Sequence, residues 1–435
     1  ISFKSTSKNK WESKKEVHQA SNSIERNGLM EVVSVESRTV KEQPPLLFDL
    51  TGLQKEANKL LNLSADETLK IAQLLYEKQF ITYPRTGSRY IREDVWEDIP
   101  KLVGGLMVRE DCSKVIAALK LGRLNKRIVN DLRVTDHHGL LITEKIPSAL
   151  SPKEAAVYDL IVFRLLEAVS NACIKQMINV DLQVLHYDFG VTATEIIELG
   201  WRAVKGSLDE VDLDSNMNVF LSELPEFKEG ETLRIKSGNI VEKQTKPPVL
   251  YTEASLLSAM ESAGKDIEDS EERSALKGIG IGTPATRASI IETLFSRSYI
   301  IRDKKSLVPT DKGLQVYNVV RDLKIADVVM TAQWEISFHK IENGELEDFA
   351  FQKEMEDYTT LITSELLQLK FDREELPDLI CPKCKSGSLL IRDKLVKCTG
   401  LSCDWIQFRK VCGVHLGIVD IESLVNSGKT TLIKG

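Results

Sequence analysis

The stretch Gln73–Ser88, QLLYEKQFITYPRTGS, decides how the rest of the chain is read. It opens inside an amphipathic helix. Ser64 stands three residues before Glu67, the pattern of a capping box, and Leu69, Ala72 and Leu75 share one apolar stripe. Pro84 biases Tyr83 away from helical backbone, so the chain is extended there, and Gly87 with Ser88 lets it turn. On an extended segment residues two apart face the same side, which sets the Arg85 guanidinium beside the Tyr83 phenol. A phenol, with a pKa of about 10, is a poor nucleophile unless a cation or base assists. Phosphoryl transfer needs positive charge around the equatorial oxygens more than covalent help, and a Tyr–Arg pair could provide both nucleophile and charge. A buried strand tyrosine beside a surface arginine has the same spacing, and both readings stand at this point.

Upstream, residues 1–43 end in alternation (Met30-Glu31-Val32-Val33-Ser34-Val35-Glu36) that reads as a strand. Pro44-Pro45 breaks the chain before a helix with Leu53, Ala57, Leu60 and Leu61 on one face. Downstream, Ser151, Pro152 and Glu154 mark the start of another helix, running to about Asn171. From about Val180 to Ile240 short alternating segments broken by Gly and Pro indicate antiparallel sheet. This sheet and the strand before residue 44 can form one β domain interrupted by a helical insertion. Helical periodicity returns over Thr252–Ala263 and Thr283–Leu294, and Tyr299–Val308 reads as a hairpin turning at Asp303-Lys304-Lys305. Helix, helix, hairpin suits a winged-helix-like unit.

At 435 residues the chain is long enough for two to four domains, and its net charge is −7. That balance argues against a surface coated everywhere by nucleic acid, but not against a local basic track. Lys and Arg outnumber Asp and Glu from Lys383 to Gly435, whereas Asp209–Glu231 is strongly acidic. No apolar run approaches the roughly 18 residues of a membrane span. The polar, Lys-rich start on Ile1 is no signal peptide and reads as an internal cut.

Two further motifs carry donors. Thr135-Asp136-His137-His138-Gly139 puts two histidines side by side, and on a regular element at most one of them can face a given site. Gly278-Ile279-Gly280-Ile281-Gly282 runs into Thr283-Pro284, a helix cap with Pro at the first helical position. Such a loop can cradle phosphate with backbone N–H groups and the positive helix end, with Thr283, Thr286 and Arg287 as added donors; a mere tight turn uses the same glycines. It is no dinucleotide fingerprint, because the spacing fails. Gly428-Lys429-Thr430 lacks the earlier glycine of a nucleotide-binding loop, with Ser423 in its place.

Of the seven cysteines, Cys381-x2-Cys384 and Cys398-x4-Cys403 have ribbon spacing for a tetrahedral thiolate zinc site. Cys412 falls outside the pattern, and Cys112 and Cys173 read as core thiols. Trp405 and Phe408 beside Arg409 and Lys410 fit either base stacking or the ribbon's small core.

Taken together, these strings resemble the type IA DNA topoisomerases, particularly the topoisomerase III branch. Gln73–Ser88 is similar to the family's active-site segment, Asp136–Gly139 to its Asp-His-His-Ala motif, and Gly280–Ile291 (GIGTPATRASII) to a motif along its single-strand groove. The resemblance implies that Tyr83 forms a 5′-phosphotyrosine bond, Arg85 stabilises the cleaved phosphate and His137 lies beside the scissile phosphate. It also implies DNA contacts from Gln73, Gly280, Gly282, Thr283, Thr286 and Arg287. The implied fold is mixed α and β, a multidomain toroid core followed by a zinc ribbon. Its parts would be a β hinge domain in two pieces (1–43 and 171–245), a helical catalytic domain (44–170), a helical winged-helix-like DNA-binding domain (246–372), the ribbon (377–412) and the start of a further segment (413–435). The implied reaction is ATP-independent cleavage, passage and religation of single-stranded or underwound DNA, relaxing or decatenating it. Expected with it are structural Zn2+, a helicase partner, a monomeric state and a bacterial, nucleoid-associated cytoplasmic setting. The family also needs Mg2+ held by a Glu and an Asp-x-Asp pair of an N-terminal Toprim domain. That domain is expected upstream of this chain, which by itself would bind DNA without cleaving it; Asp212-x-Asp214 reads as a solvated face instead. Two departures stand out: Gly87 replaces a common Asp, and Ile142-Thr143 replaces a usual Pro. The tyrosine recombinases, with their Tyr after the Arg and His, fit the order less well. A non-catalytic zinc-ribbon single-stranded nucleic-acid binding protein is the alternative.

Overall fold

The structure, a computed structural model, describes residues 3–119, 123–134, 136–205, 218–220 (backbone), 225–265, 267–276, 280–368, 377–392, 394–411 and 413–430. Thr135, Asp212, Asp214, Gly278 and Cys412 lie outside the described residues. The chain forms two compact units, Ile1–Glu347 and Asp348–Gly435.

The first unit is organised by a sheet of β1 (Thr6–Ser7), β2 (Leu29–Glu42), β3 (Cys173–Val184), β4 (Tyr187–Glu198), β5 (Asn218–Phe220) and β6 (Thr232–Arg234). Its order is β1-β4-β3-β2-β6, with β5 running parallel to β4. β2 pairs antiparallel with β3 from Glu31↔Gln183 to Glu42↔Cys173. Everything between Glu42 and Cys173 therefore leaves and returns at one end of the sheet. Met30 and Val32, Val180, Leu182 and Val184, and Val191 and Ala193 alternate onto one buried face. Helix α1 (Lys14–Asn27) packs Ile24 into that core. Sequence reading missed α1 because Val17, Ala20 and Ile24 are a thin apolar stripe in a polar run. It also expected short segments from Val180, where the structure has two twelve-residue strands starting at Cys173.

The insertion holds α2 (Leu50–Leu61), α3 (Ala65–Glu77), α4 (Glu93–Trp96), α5 (Ile99–Gly105), α6 (Glu110–Ala118) and α7 (Pro152–Val169). Asp49 caps α2 by accepting from Gly52 N–H at 2.6 Å, and Ser64 caps α3 by accepting from Glu67 N–H at 3.0 Å. Ser151 and Glu154 close a full capping box on α7, with Pro152 in its first turn. Leu53 and Ala57 of α2, Ala72 and Leu75 of α3, and Val157, Ile161 and Leu165 of α7 meet in one core.

A charged joint fastens this insertion to the chain leaving β4. Glu167 of α7, 2% exposed, accepts from Arg164 Nε at 3.0 Å and pairs with Lys205 Nζ at 3.0 Å. Arg164 also stacks its guanidinium 3.9 Å from the Phe48 ring centroid. At the sheet's edge Glu42 takes Lys175 at 2.5 Å and Arg202 at 2.8 Å. Burial pushes the Glu42 carboxyl up, but hydrogen bonds from Arg202 and Lys175 outweigh this and hold it below its ordinary value.

A second helical group follows: α8 (Glu253–Glu261), α9 (Ser270–Ala275), α10 (Pro284–Ser296), the hairpin β7 (Ile300–Asp303) and β8 (Ser306–Pro309), α11 (Asp311–Val320) and α12 (Val328–Glu342). Leu257, Met260, Ala288 and Ile291 pack against Ala65 at the start of α3. Buried Glu253 accepts from Ala65 N–H at 2.8 Å and from Arg302 Nε at 2.8 Å.

In the second unit, α13 (Asp348–Gln368) precedes a small sheet of β9 (Leu389–Ile391), β10 (Leu395–Cys398) and β11 (Ile406–Phe408). The two-stranded β12 (Lys410–Val411) and β13 (Val414–His415) follow, then α14 (Ile418–Ser427). Leu389, Ile391, Val396, Leu416 and Ile421 form the ribbon's core, with Trp405 packed against it. Phe408 stays 64% exposed, so the two aromatics divide between core and surface. Among the described residues no helix is long and apolar enough to cross a membrane.

Because Glu167 is nearly inaccessible, Glu167→Ala would remove the buried hydrogen-bond acceptor of Arg164 and leave it only the longer pair with Glu56 at 3.8 Å. The expected loss is about 3 kcal/mol, the low end for breaking a buried pair, since Lys205 keeps access to water. Chemical denaturation of this chain and its variant measures it.

Candidate active site

After α3 ends at Glu77, Gln79 takes a left-handed φ of 64° and turns the chain. The following segment joins no sheet and instead lies along residues 128–143. Thr82 N–H donates to Leu141 O at 2.9 Å, Thr143 N–H to Phe80 O at 3.1 Å, and Gly139 N–H to Tyr90 O at 2.8 Å. Thr86, 2% exposed, donates its hydroxyl to His137 O at 2.8 Å, and Ser88 donates to Arg133 O at 2.8 Å. Leu50 N–H, in the first turn of α2, donates to Thr86 O at 3.0 Å. The two motifs, far apart in sequence, are thus stitched together by backbone and hydroxyl bonds.

The result is a close group of side chains. The Tyr83 and His137 rings lie 4.7 Å apart at 54°, and Tyr76 meets Tyr83 edge-on at 5.3 Å. Tyr83 is half-buried, while Arg85 and His137 are exposed. Among the described residues the Tyr83 hydroxyl makes no hydrogen bond and Arg85 no ion pair, so both face outward uncommitted. His138 turns its Nδ1 to Gly139 O at 2.7 Å, whereas the His137 ring is the one against Tyr83. Gln73, on α3, is half-buried and donates to Glu77 Oε1 at 3.2 Å.

The glycine loop lies close by. Gly280 and Gly282 have φ of +67° and +68°, the left-handed region that favours glycine. A Cβ on Gly280 would run into the carbonyl oxygen of Met260. Thr283 N–H donates to Thr286 Oγ1 at 2.9 Å, both residues being exposed at the start of α10. Pro284 Cγ stands 3.5 Å from where a Gly87 Cβ would be, which sets α10 beside the Tyr83 segment. Arg287 differs from its neighbours: it is 2% exposed, and its Nη1 donates to Thr51 Oγ1 at 3.0 Å.

In the ribbon, Cys381, Cys384, Cys398 and Cys403 bring their sulfurs within 4.8 Å of one another. Cys381 and Cys403 are 3.7 Å apart and Cys384 and Cys398 3.6 Å, near the roughly 3.8 Å of a tetrahedral zinc thiolate. Gly387 N–H and Gly400 N–H donate to Cys384 Sγ and Cys398 Sγ. Backbone N–H groups of Ser386 and Gly387 hold the Cys384 thiol down to about 6, whereas at Cys398 the Gly400 N–H is outweighed by burial and its sulfur neighbours, which push the thiol up. These four residues could bind a metal ion such as zinc, and no other such group occurs among the described residues.

A family model described as DNA topoisomerase matches residues 1–353. The chain belongs to the DNA topoisomerase family. A DNA topoisomerase 3 of Bacillus licheniformis is 34% identical over 383 residues, covering 86% of this chain and 52% of the relative. One from Bacillus subtilis (strain 168) is 33% identical over 379 residues, covering 84% and 51%. The chain thus spans about half the length of the curated relatives it matches. The structure of full-length topoisomerase I from Thermotoga maritima matches in fold, with a TM-score of 0.60 at 23% identity, over 93% of this chain and 63% of that one.

Within this topoisomerase fold, Thr86, Thr51 and Tyr76 help build the site yet were not singled out from sequence. A buried hydroxyl that crosses between loops leaves no periodic signature, and Tyr76 reads as one more helical aromatic.

Two substitutions test the loop geometry. Gly280→Ala should lower the thermal midpoint, because a left-handed non-glycine costs roughly 1–2 kcal/mol before the clash with Met260 is counted. Gly87→Ala, whose Cβ meets only an ordinary contact, should leave it nearly unchanged. For the ribbon, Cys384→Ser should abolish the metal retained by the purified chain, as read by elemental analysis.

Proposed function

We propose that this chain is the part of a type IA, topoisomerase III-like enzyme that carries its nucleophile, Tyr83. The observation that carries this is the Tyr83 ring packed against the His137 ring, its hydroxyl uncommitted, with exposed Arg85 two residues on. Tyr83 Oη attacks a phosphodiester phosphorus of single-stranded DNA, forming a tyrosyl–phosphorus bond as the bond to O3′ breaks. The phenol proton passes to solvent, and the 3′-hydroxyl leaves with a proton. Religation is the reverse, so no ATP is consumed. Arg85 and His137 offer positive charge to the phosphate oxygens as charge builds on them. Gln73 from α3 and the loop of Gly280, Gly282, Thr283 and Thr286 at the positive start of α10 would hold the strand, the loop through its phosphates.

The four cysteines would hold structural Zn2+ and keep the ribbon folded. Mg2+ would assist cleavage from the Toprim metal-binding domain that the resemblance implies. The domain roles follow the same reading, a β hinge carrying a helical catalytic insertion beside a DNA-binding helical group. The complete enzyme would work as a monomer in the bacterial cytoplasm, at the nucleoid, on single-stranded or underwound DNA. A helicase that opens duplex would be a natural partner. A non-catalytic single-strand binding protein would have no use for the Tyr83–His137–Arg85 group, which makes it the weaker reading.

In the complete protein with Mg2+, single-stranded DNA labelled on the 3′ side of the cut should become covalently attached, and Tyr83→Phe should abolish the adduct while DNA binding stays within about twofold. DNA relaxation that survives Tyr83→Phe would sink the assignment. This chain alone should bind the DNA and form no adduct.

A further inference from the structure

Arg287 sits in the motif from which strand contacts were expected, yet its guanidinium points into the protein. It is 2% exposed, so a phosphate arriving from solvent cannot reach it in this arrangement. Burying a guanidinium is costly unless its charge and donors are satisfied, and here the partners come from three separate segments. Nη1 donates to Thr51 Oγ1 at 3.0 Å, Nε donates to Ile281 O at 3.2 Å, and Glu261 Oε1 lies 3.6 Å from Nη1. The other Glu261 oxygen accepts from Lys55 Nζ at 2.8 Å, which carries the network back to α2.

Each partner leads somewhere. Ile281 lies between the left-handed glycines Gly280 and Gly282, and its N–H donates to Met260 O at 2.8 Å. Thr51, fully buried, follows Leu50, whose N–H holds Thr86 O at 3.0 Å, in the middle of the Tyr83 segment. Asp49, the cap of α2, is also largely buried: burial pushes its carboxyl up, and Arg89 and Gly52 N–H pull it partly back. The planar fork of Arg287 is thus the one side chain described here that bonds both the glycine loop and the start of α2. Lysine, a point charge on a flexible stem, could not make these bonds together.

We propose that Arg287 is a positioning residue that, through Thr51, Ile281 and Glu261, fixes the glycine loop relative to Tyr83, and is not itself a phosphate contact. This rests on the reading of Tyr83 as nucleophile. A strand held by the loop must present one phosphorus to one phenol, and small misplacements of reacting groups cost large factors in rate.

The test uses the complete protein with Mg2+, comparing Arg287→Met, Arg287→Lys, Thr51→Val and the Arg287→Met/Thr51→Val double variant. Three quantities are read: the salt dependence of single-stranded DNA binding, the single-turnover rate of Tyr83 adduct formation at saturating DNA, and thermal stability. The proposal expects an unchanged salt slope and an adduct rate lowered roughly tenfold to a hundredfold in Arg287→Met. Arg287→Lys should recover little of that rate, and Thr51→Val should reproduce part of the loss without adding to Arg287→Met. A salt slope reduced by about 0.7, the share of one lost phosphate contact, would overturn it. So would a rate that falls only in proportion to the unfolded fraction. If the unmodified protein forms no adduct, the nucleophile reading fails, while the salt slope still decides whether Arg287 touches phosphate.

Discussion

Between Phe80 and Ile91 the chain has left a helix and entered no sheet, so its backbone polar groups must find partners in other segments. They find them in residues 128–143, through Thr82 with Leu141, Phe80 with Thr143, Tyr90 with Gly139 and Ile91 with Ile128. The Thr86 hydroxyl adds a bond to the His137 carbonyl. The constraint works both ways. Satisfying an irregular segment is what brings Tyr83 and His137 together, and the rest of the site is arranged around that stitched pair.

Rigid elements surround this seam. Helix α3 delivers the segment and sets Tyr76 against Tyr83, while α2 anchors Thr86 through Leu50. The start of α10 approaches Gly87 through Pro284. None of these helices is held by propensity alone. Their caps at Asp49, Ser64 and Ser151 fix where they begin, and a shared core of Leu53, Ala72, Leu75 and Val157 fixes how they cross. Exposed loops of this kind are where reactive side chains are usually carried, provided the scaffold beneath is stiff.

Buried charge is concentrated at the joints. Glu167 with Lys205, Glu42 with Lys175 and Arg202, Glu253 with Arg302, and Arg287 with Glu261 each link segments well apart in sequence. Such pairs contribute little net stability compared with apolar packing, but they demand a defined geometry and punish its loss. That suits a molecule whose proposed chemistry depends on holding separate segments in register.

Much of this was legible in the chain itself. Capping boxes and proline breaks marked the helices, and the Tyr83-Pro84-Arg85 string pointed to the proposed nucleophile, because these signals are local and act within a few residues. The cysteine spacing likewise announced a candidate metal site, since two cysteine turns suffice to bring four sulfurs together. What the sequence could not determine was every long-range choice. Adjacent histidines look alike until backbone bonds turn His138 toward Gly139 and leave His137 facing Tyr83. Arg287 looked like one more cation of a phosphate loop until packing buried it against Thr51. Side-chain direction on an irregular segment is set by which distant groups need a partner, and only the folded chain brings those groups within reach.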